Sequence, residues 1–375
     1  MSTTTRAAVL WGHHEDWSID TLTLDDPGPG EVLVSTRFAG LCHSDEHVTQ
    51  GDMVVPHFPF IGGHEGSGVV EEVGPNVTTV RPGDHVAMSF VPSCGRCKWC
   101  SSGRQHLCDL GAKTFDLQMI TRRPGNVSHQ IGDVEAARFA QLGTFAEHML
   151  VSQDSLVKIS KDLPLDVAAL VSCSVATGWG SVVHRAGVTA GDTVAVVGVG
   201  GVGINAVQGA RLSGAKRVIA IDPVEFKREM AMKVGATHSF ASLDEAQRAV
   251  PDLTWGDMCD SVILVPSLLT GDMVEPALSL VAKGGTLVVT AVGSMLQTDT
   301  SLNLFLLAML NKEIKGTIFG SGNPRYDIPA LLSMYRDGDL RLDEMITNRY
   351  RLDDVNIGYQ DLRDGKNIRG VLEFA

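Results

Sequence analysis

Apolar and polar positions divide the chain into two textures. From Ala7 to about Phe38, short apolar alternations are broken by the turn cluster Asp25-Asp-Pro-Gly-Pro-Gly30, which predicts strands joined by tight turns and the start of a β-rich domain. Strand-like runs return at 144–151 and 156–159. Between the two sets the periodicity fades over 112–141, and Arg122-Arg-Pro-Gly-Asn126 marks a loop there, so this segment is expected to be an irregular insertion over the domain surface that lines a substrate entrance. The stretch 168–180, rich in small residues, predicts a helix packed close to other backbone. From Thr193 to about Phe319 six short apolar runs, beginning near Thr193, Arg217, Thr237, Ser261, Thr286 and Ile314, alternate with helix-like stretches. That alternation predicts an α/β fold with a doubly wound parallel sheet. Beyond about Gly322 the texture is mixed again, helix-like at 330–335 and strand-like at Val371-Leu-Glu-Phe374.

The first run of the α/β region carries a glycine turn, Gly198-Val-Gly200-Gly-Val-Gly203, followed by a helix-compatible segment. Gly198 permits the tight turn, Gly200 lets backbone approach a pyrophosphate, and Gly203 lets the helix lie close on the sheet. A lone motif of this kind is weak, but the second apolar run ends at Asp222, 19 residues after Gly203, where a carboxylate accepts both adenosine ribose hydroxyls. Turn, helix and acid together favour dinucleotide binding over a glycine-rich turn of another α/β unit. Lys227 lies close enough beyond Asp222 to reach the same ribose, or stands on a solvated helix face.

A length of 375 residues suits two domains. The segment Met1-Ser-Thr-Thr-Thr-Arg6 lacks the apolar core of a signal peptide, and the longest apolar stretch, near 302–310, is too short to span a bilayer, so a cytoplasmic protein is expected. A net charge of -13 without a long basic run argues against nucleic acid.

Cysteine placement adds the chemistry. Cys94, Cys97, Cys100 and Cys108 are separated by two, two and seven residues, a spacing that closes a thiolate tetrahedron around a structural zinc; an iron–sulfur cluster has compatible spacing. Cys42 and His64, with a later cysteine, supply three ligands of the kind that hold a catalytic zinc with one open position. Taken singly, each has an ordinary reading as a buried thiol or a hydrogen-bonded histidine.

With these residues in hand, the chain resembles the zinc-dependent medium-chain alcohol dehydrogenases along its whole length: in Gly63-His-Glu-Gly66, the four-cysteine lobe, the glycine turn with its acid, and Asn367-Ile-Arg369. The resemblance implies a GroES-like catalytic domain over 1–175 and 322–375, with the lobe at 94–108, and a Rossmann domain over 176–321. It implies that Cys42, His64 and Cys173 ligate a catalytic zinc with Glu65 beside it, and that the four-cysteine lobe holds a second zinc. Ser44 and His47 fall at the family's proton relay, and His43, at a position where many relatives carry Arg, and Arg369 fall at its pyrophosphate contacts. Thr177, Gly201, Val202, Val292 and Phe319 fall among its other NAD contacts, and Phe90 at its substrate-pocket wall. The implied reaction oxidises an alcohol to an aldehyde or ketone, with hydride passing to NAD and the proton leaving through Ser44, the cofactor ribose and His47.

The second half, especially 191–228 and 365–370, is similar to an actinobacterial branch that uses nitrosodimethylaniline as electron acceptor and keeps NAD(H) bound between turnovers. Two other readings stay open within the family: an ordinary NAD-exchanging alcohol dehydrogenase, and a glutathione-dependent formaldehyde dehydrogenase, although Asp109-Leu-Gly-Ala112 lacks the basic residue that branch uses to hold the glutathione carboxylate. A non-enzymatic zinc- or nucleotide-binding scaffold is disfavoured by the joint presence of Cys42, Ser44, His47, His64 and Cys173. The run Ile314-Lys-Gly-Thr-Ile-Phe319 is expected to be an edge strand covered by a second copy in a homodimer or tetramer.

Overall fold

The computed structural model describes residues 2–55, 57–111 and 129–375. The chain forms two compact units, one built from 1–173 and 323–375, the other from 174–322.

The first unit is β-rich. Alternating apolar residues of strand β1 (Thr3–Leu10) and strand β2 (Ser18–Leu24) pair antiparallel, and among the described residues their sheet has six strands. A second sheet is centred on β3 (Glu31–Gly40), whose buried residues face a core with Val86, Met88, Met149 and Leu150. The last strand, β4 (Arg369–Glu373), inserts antiparallel beside β3 and parallel to the strand Ile346–Tyr350. A second apolar cluster joins Trp17, Phe145 and Tyr359, with Trp17 and Tyr359 stacked at 5.9 Å between ring centroids.

The expectation for 112–141 divides. Residues 112–128 lie outside the described residues, but 129–141 is not irregular: His129–Ile131, Val134–Glu135 and Ala137–Arg138 are short strands of the first sheet. Strands of two or three residues are too short to show alternation.

The second unit is a parallel sheet in the order 238–240, 217–221, 193–197, 259–264, 281–289, 313–316. Its strand order reverses beside Thr193–Val197, and at such a switch point dinucleotides bind at the strands' carboxyl ends. The edge strand is shorter than the sequence pattern predicts. It covers Glu313–Gly316, and Phe319 to Ser321 form a turn with three successive left-handed residues at φ 52, 58 and 60°.

The longest apolar stretch is also not at 302–310. The helical run Leu165–Ala186, 22 residues, is long and apolar enough by length and composition to cross a membrane, and 78% of its most apolar window is buried inside the protein. It is core. Two π-helical turns interrupt it, Val171–Val175 and Ser181–Ala186, and the first contains Cys173.

Candidate active site

Four donors from three segments of the first unit converge. Cys42 precedes the helix α1 (His43–Thr49), His64 and Glu65 follow a glycine turn, and Cys173 lies in the π-helical turn. All four are buried, and their ligand atoms lie within 4.8 Å of one another. Local sequence explains the convergence. Gly63 has φ +89°, and a Cβ there would stand 2.4 Å from Thr144 Oγ1, so only glycine makes this turn. The Gly66 N–H donates to Ser172 Oγ at 3.2 Å, which ties the His64 segment to the residue next to Cys173.

Asp45, which the sequence reading missed, organises this group. It is fully buried; one oxygen accepts the Gly63 N–H at 2.7 Å, and the other stands 3.2 Å from His64 Nδ1. His64 Nε2 is left 3.5 Å from Cys173 Sγ, the nitrogen a metal would use. Burial raises the Asp45 carboxyl against the pull of His64. Burial would also keep His64 neutral, but Asp45 and Cys42 outweigh it and push its pKa up. Cys42 is held well below a usual thiol, first by its hydrogen bond with Cys173, and Cys173 is pushed up by the same bond and by burial. The two thiols thus favour one thiolate between them, the charge that a divalent cation would neutralise.

Arg369 hydrogen-bonds Glu65, and both are buried. Burial drives the Glu65 carboxyl up to about 8 against the attraction of this guanidinium. The pairing requires Gly40, where a Cβ would stand 2.3 Å from Glu65 Oε2 and 2.9 Å from Arg369 Nη2. The structure therefore places Arg369, expected at a pyrophosphate, on the acid beside the thiols. Glu65 Oε1 is buried without a hydrogen-bond partner among the described residues. Two thiols, an imidazole backed by a carboxylate and this acid fit a zinc ion.

Around the donors, Ser44 Oγ lies 3.6 Å from Cys42 Sγ, and His47, on the same helix, has Nδ1 3.2 Å from Asp52 Oδ2. His43 opens that helix. Phe90 meets the His64 ring edge-on at 5.7 Å, and Phe139, absent from the sequence reading, is closer at 4.7 Å.

The lobe at 94–108 forms a second four-donor group. Cys94 and Cys100 sulfurs are 4.0 Å apart, as are those of Cys97 and Cys108. Backbone N–H groups of Cys97, Cys100 and Cys94 point at Cys94, Cys97 and Cys108 sulfurs at 3.4–3.5 Å. Burial raises the Cys97 thiol, yet the amides of Cys100 and Asp109 bring it down to about 6, while burial takes Cys108 up to about 12. Amides aimed at sulfur favour thiolate, so the donor chemistry fits a zinc held by four cysteines with no open position.

In the second unit the glycine turn leads from Thr193–Val197 into helix α2 (Gly203–Leu212). Gly198 has φ +90°, a Cβ on Gly203 would stand 1.9 Å from Gly198 O, and around Gly200 there is open space. Gly201 O accepts from the Asn205 side chain at 2.8 Å. Asp222 is buried, and its two oxygens accept the N–H groups of Val199 and Val224, each at 2.9 Å, which aims the carboxylate beside the turn. Among the described residues Lys227 makes no hydrogen bond or ion pair with this acid. Arg228, which the sequence reading passed over, donates to the carbonyls of Asp222 at 2.8 Å and Pro223 at 3.0 Å. Gly178 packs on Val202, whose carbonyl would stand 2.1 Å from an added Cβ, and Thr177 Oγ1 is buried without a partner among the described residues. Val292 O accepts the Leu269 N–H at 3.1 Å, and Phe319 is buried. Open space at Gly200, a pre-aimed acid and an orphaned hydroxyl fit a nicotinamide dinucleotide.

Comparison with known proteins agrees with these donor sets. The alcohol dehydrogenase GroES-like domain matches residues 28–161, and the zinc-binding dehydrogenase domain matches 201–337. An NDMA-dependent alcohol dehydrogenase of Amycolatopsis methanolica is 50% identical over 368 residues, covering 98% of each chain. Alcohol dehydrogenase B of Mycobacterium tuberculosis is 46% identical over 99% of this chain and 98% of its own. The crystal structure of benzyl alcohol dehydrogenase from Acinetobacter calcoaceticus covers all of both chains with a TM-score of 0.89 at 28% identity. Two thiol-rich donor sets in one unit and a dinucleotide turn in the other thus have their counterpart in known enzymes, and the chain belongs to the zinc-dependent medium-chain alcohol dehydrogenases, oxidoreductases that work with zinc and NAD.

Proposed function

We propose that the protein oxidises a small alcohol to the aldehyde or ketone with NAD(H) kept bound between turnovers, a second small molecule entering to reoxidise it. The observation that carries the chemistry is the convergence of Cys42, His64, Glu65 and Cys173 within 4.8 Å, with Asp45 behind His64. Support for the retained cofactor is the relative's description as NDMA-dependent, at 50% identity over nearly the whole chain.

Cys42, His64 and Cys173 would hold the catalytic zinc, and Cys94, Cys97, Cys100 and Cys108 the structural one. The catalytic ion supplies a Lewis acid that makes a hydroxyl more acidic. Glu65 is drawn toward Arg369, which leaves three ligands and room for a substrate. Ser44, beside Cys42, is placed to take the alcohol proton, and His47, steadied by Asp52, to pass it to solvent. Phe90 and Phe139 make one wall at His64 apolar. The turn at 198–203 would bind the pyrophosphate and Asp222 the adenosine ribose.

The assembly is proposed as a homodimer through the outer edge of the second unit. Among the described residues the edge strand Glu313–Gly316 is paired on one side only, and Leu304, Phe305 and Met309 before it are 68, 70 and 63% exposed, an apolar surface that suits a second copy. Seven unpaired thiols suit a reducing compartment, so a cytoplasmic setting is proposed with it.

Denaturing extensively dialysed protein and assaying the supernatant for nicotinamide cofactor, then following alcohol oxidation with added NAD alone and with nitrosodimethylaniline alone, tests the reading. Retained cofactor with dye-dependent turnover is expected. Cofactor-free protein that turns over only with added NAD would leave an ordinary exchanging dehydrogenase.

A further inference from the structure

Two loops of the second unit are fastened to one another at the carboxyl end of its sheet. The first, 265–273, leaves the strand Cys259–Leu264 next to the switch point. Its Val265 N–H pairs with Val197 O at 2.8 Å, and Val265 O would stand 2.4 Å from a Cβ on Gly198, so this loop runs against the glycine turn itself. The second, 290–303, leaves the neighbouring strand Val281–Val289. Neither loop carries helix or strand over most of its length, and alone each would be free to swing.

Three ties join them. Leu269 bridges to Gly293, its N–H bonded to Val292 O at 3.1 Å. Thr300 Oγ1 donates to Gly271 O at 2.8 Å, and the Asn303 N–H donates to Glu275 Oε2 at 2.9 Å just beyond the loop. Between these ties the backbones nearly touch: a Cβ on Gly271 would lie 2.0 Å from Asp299 O and 3.0 Å from Thr300 Cα. Gly271 has no positive φ, so it is the neighbouring chain, not local backbone geometry, that requires glycine there.

We infer that this fastening is a brace that slows cofactor release, with Gly271 and Thr300 as its positioning residues. The inference rests on the retained-cofactor reading and gives it a physical cause. The loop at Val265 lies on Gly198, the entry to the turn at 198–203 that would hold the dinucleotide, and while tied to 290–303 it cannot swing away from that turn alone. Slow release follows from two loops having to move as one. The glycine turn and Asp222 have the arrangement common to dinucleotide-binding folds and set affinity; the brace sets residence time.

The test measures cofactor per chain in the purified holoenzyme after dialysis, and the rate at which bound NAD exchanges with labelled NAD, in the wild type, Gly271→Ala, Thr300→Val and Thr300→Ser. Gly271→Ala must push Asp299 away and is expected to exchange about tenfold faster. Thr300→Val, which loses one exposed hydrogen bond, is expected to exchange a few-fold faster, on the order of threefold, and Thr300→Ser, which keeps the hydroxyl, to match the wild type. Thr300→Val keeps the test decisive if Gly271→Ala fails to fold. Wild-type protein that dialyses free of cofactor would overturn the retained-cofactor reading and the brace with it. Wild-type protein that retains cofactor, alongside variants that exchange no faster, would overturn the brace alone.

Discussion

Asp45 shows how a single buried carboxylate turns three scattered donors into one group. With one oxygen on the Gly63 N–H and the other at His64 Nδ1, it fixes both the turn and the face of the ring that meets the sulfurs. Removing a donor should therefore cost metal rather than fold. Cys173→Ala is expected to lower zinc from two to one per chain and abolish nearly all turnover while circular dichroism is unchanged; full metal content with full activity would refute the ligand assignment. At the cofactor end, Asp222 is held by two amides and would repel a 2′-phosphate. NAD should be bound with strong preference over NADP, and Asp222→Gly should narrow the gap in affinity; equal affinities in the wild type would remove the role given to this acid. Asp222 was legible in the sequence through the pattern of strand, glycine turn and acid, and Cys42, His64 and Cys173 through the chain's resemblance to the family. Asp45 and Arg228 were not, because their partners are a ring 19 residues away and two backbone carbonyls, which no pattern of side chains records. The pairing of Arg369 with Glu65, 304 residues apart, is legible only in three dimensions.

At the scale of elements, strands and helices with clear periodicity were readable, and those fixed by neighbours were not. The six parallel runs of the second unit lie where alternation with helices puts them, and the four inner ones read as apolar runs because they are largely buried on both faces, unlike the edge strands at 238–240 and 313–316. The short strands at 129–138 owe their extended form to pairing with Ser18–Leu24 and Phe60–Ile61 rather than to any pattern of their own. The lobe at 94–108 has only two short helical turns, Lys98–Ser101 and Gln105–Leu107, and the zinc proposed for its four cysteines would serve as its core. Cys97→Ser should lower the melting temperature or yield aggregated protein; a stable variant that had lost only catalysis would count against a structural role. A different kind of fastening holds the turn before His85–Met88. Asp84 is buried, yet its bond from Lys158 Nζ at 2.8 Å and the Arg81 N–H at 3.1 Å outweigh that burial and hold its carboxyl below the usual range. Because the folded pKa is depressed, the contribution is present above the ordinary carboxylate pKa and is lost as pH falls through the folded value. Asp84→Asn should be less stable than wild type by about 1 kcal/mol at neutral pH, a difference that closes only as pH falls below the ordinary carboxylate pKa of about 3.9 and through the depressed folded value, as urea midpoints at neutral and strongly acid pH would show. A gap that persisted in acid would point to packing instead of charge.

For the whole molecule, the apolar surface formed by Leu304, Phe305 and Met309 next to the edge strand predicts association. Sedimentation at micromolar concentration should give a dimer or a pair of dimers, and Phe305→Asp should shift it toward monomer; a wild-type monomer would exclude the proposed interface. Connectivity at this scale also orders events in time. The first unit is made of two separate stretches, 1–173 and 323–375, and strand β4 lies between two other strands of its sheet, so that sheet stays incomplete until residues 369–373 are synthesised. Glu65 and Arg369 are 304 positions apart, which at about 5–20 residues per second is roughly 15–60 s of translation. The second unit is contiguous and emerges whole within that interval. The ribosome thus delivers a finished nucleotide-binding unit before the metal-binding unit is complete, and the carboxylate beside the catalytic thiols receives its cation only after 304 further residues have been added.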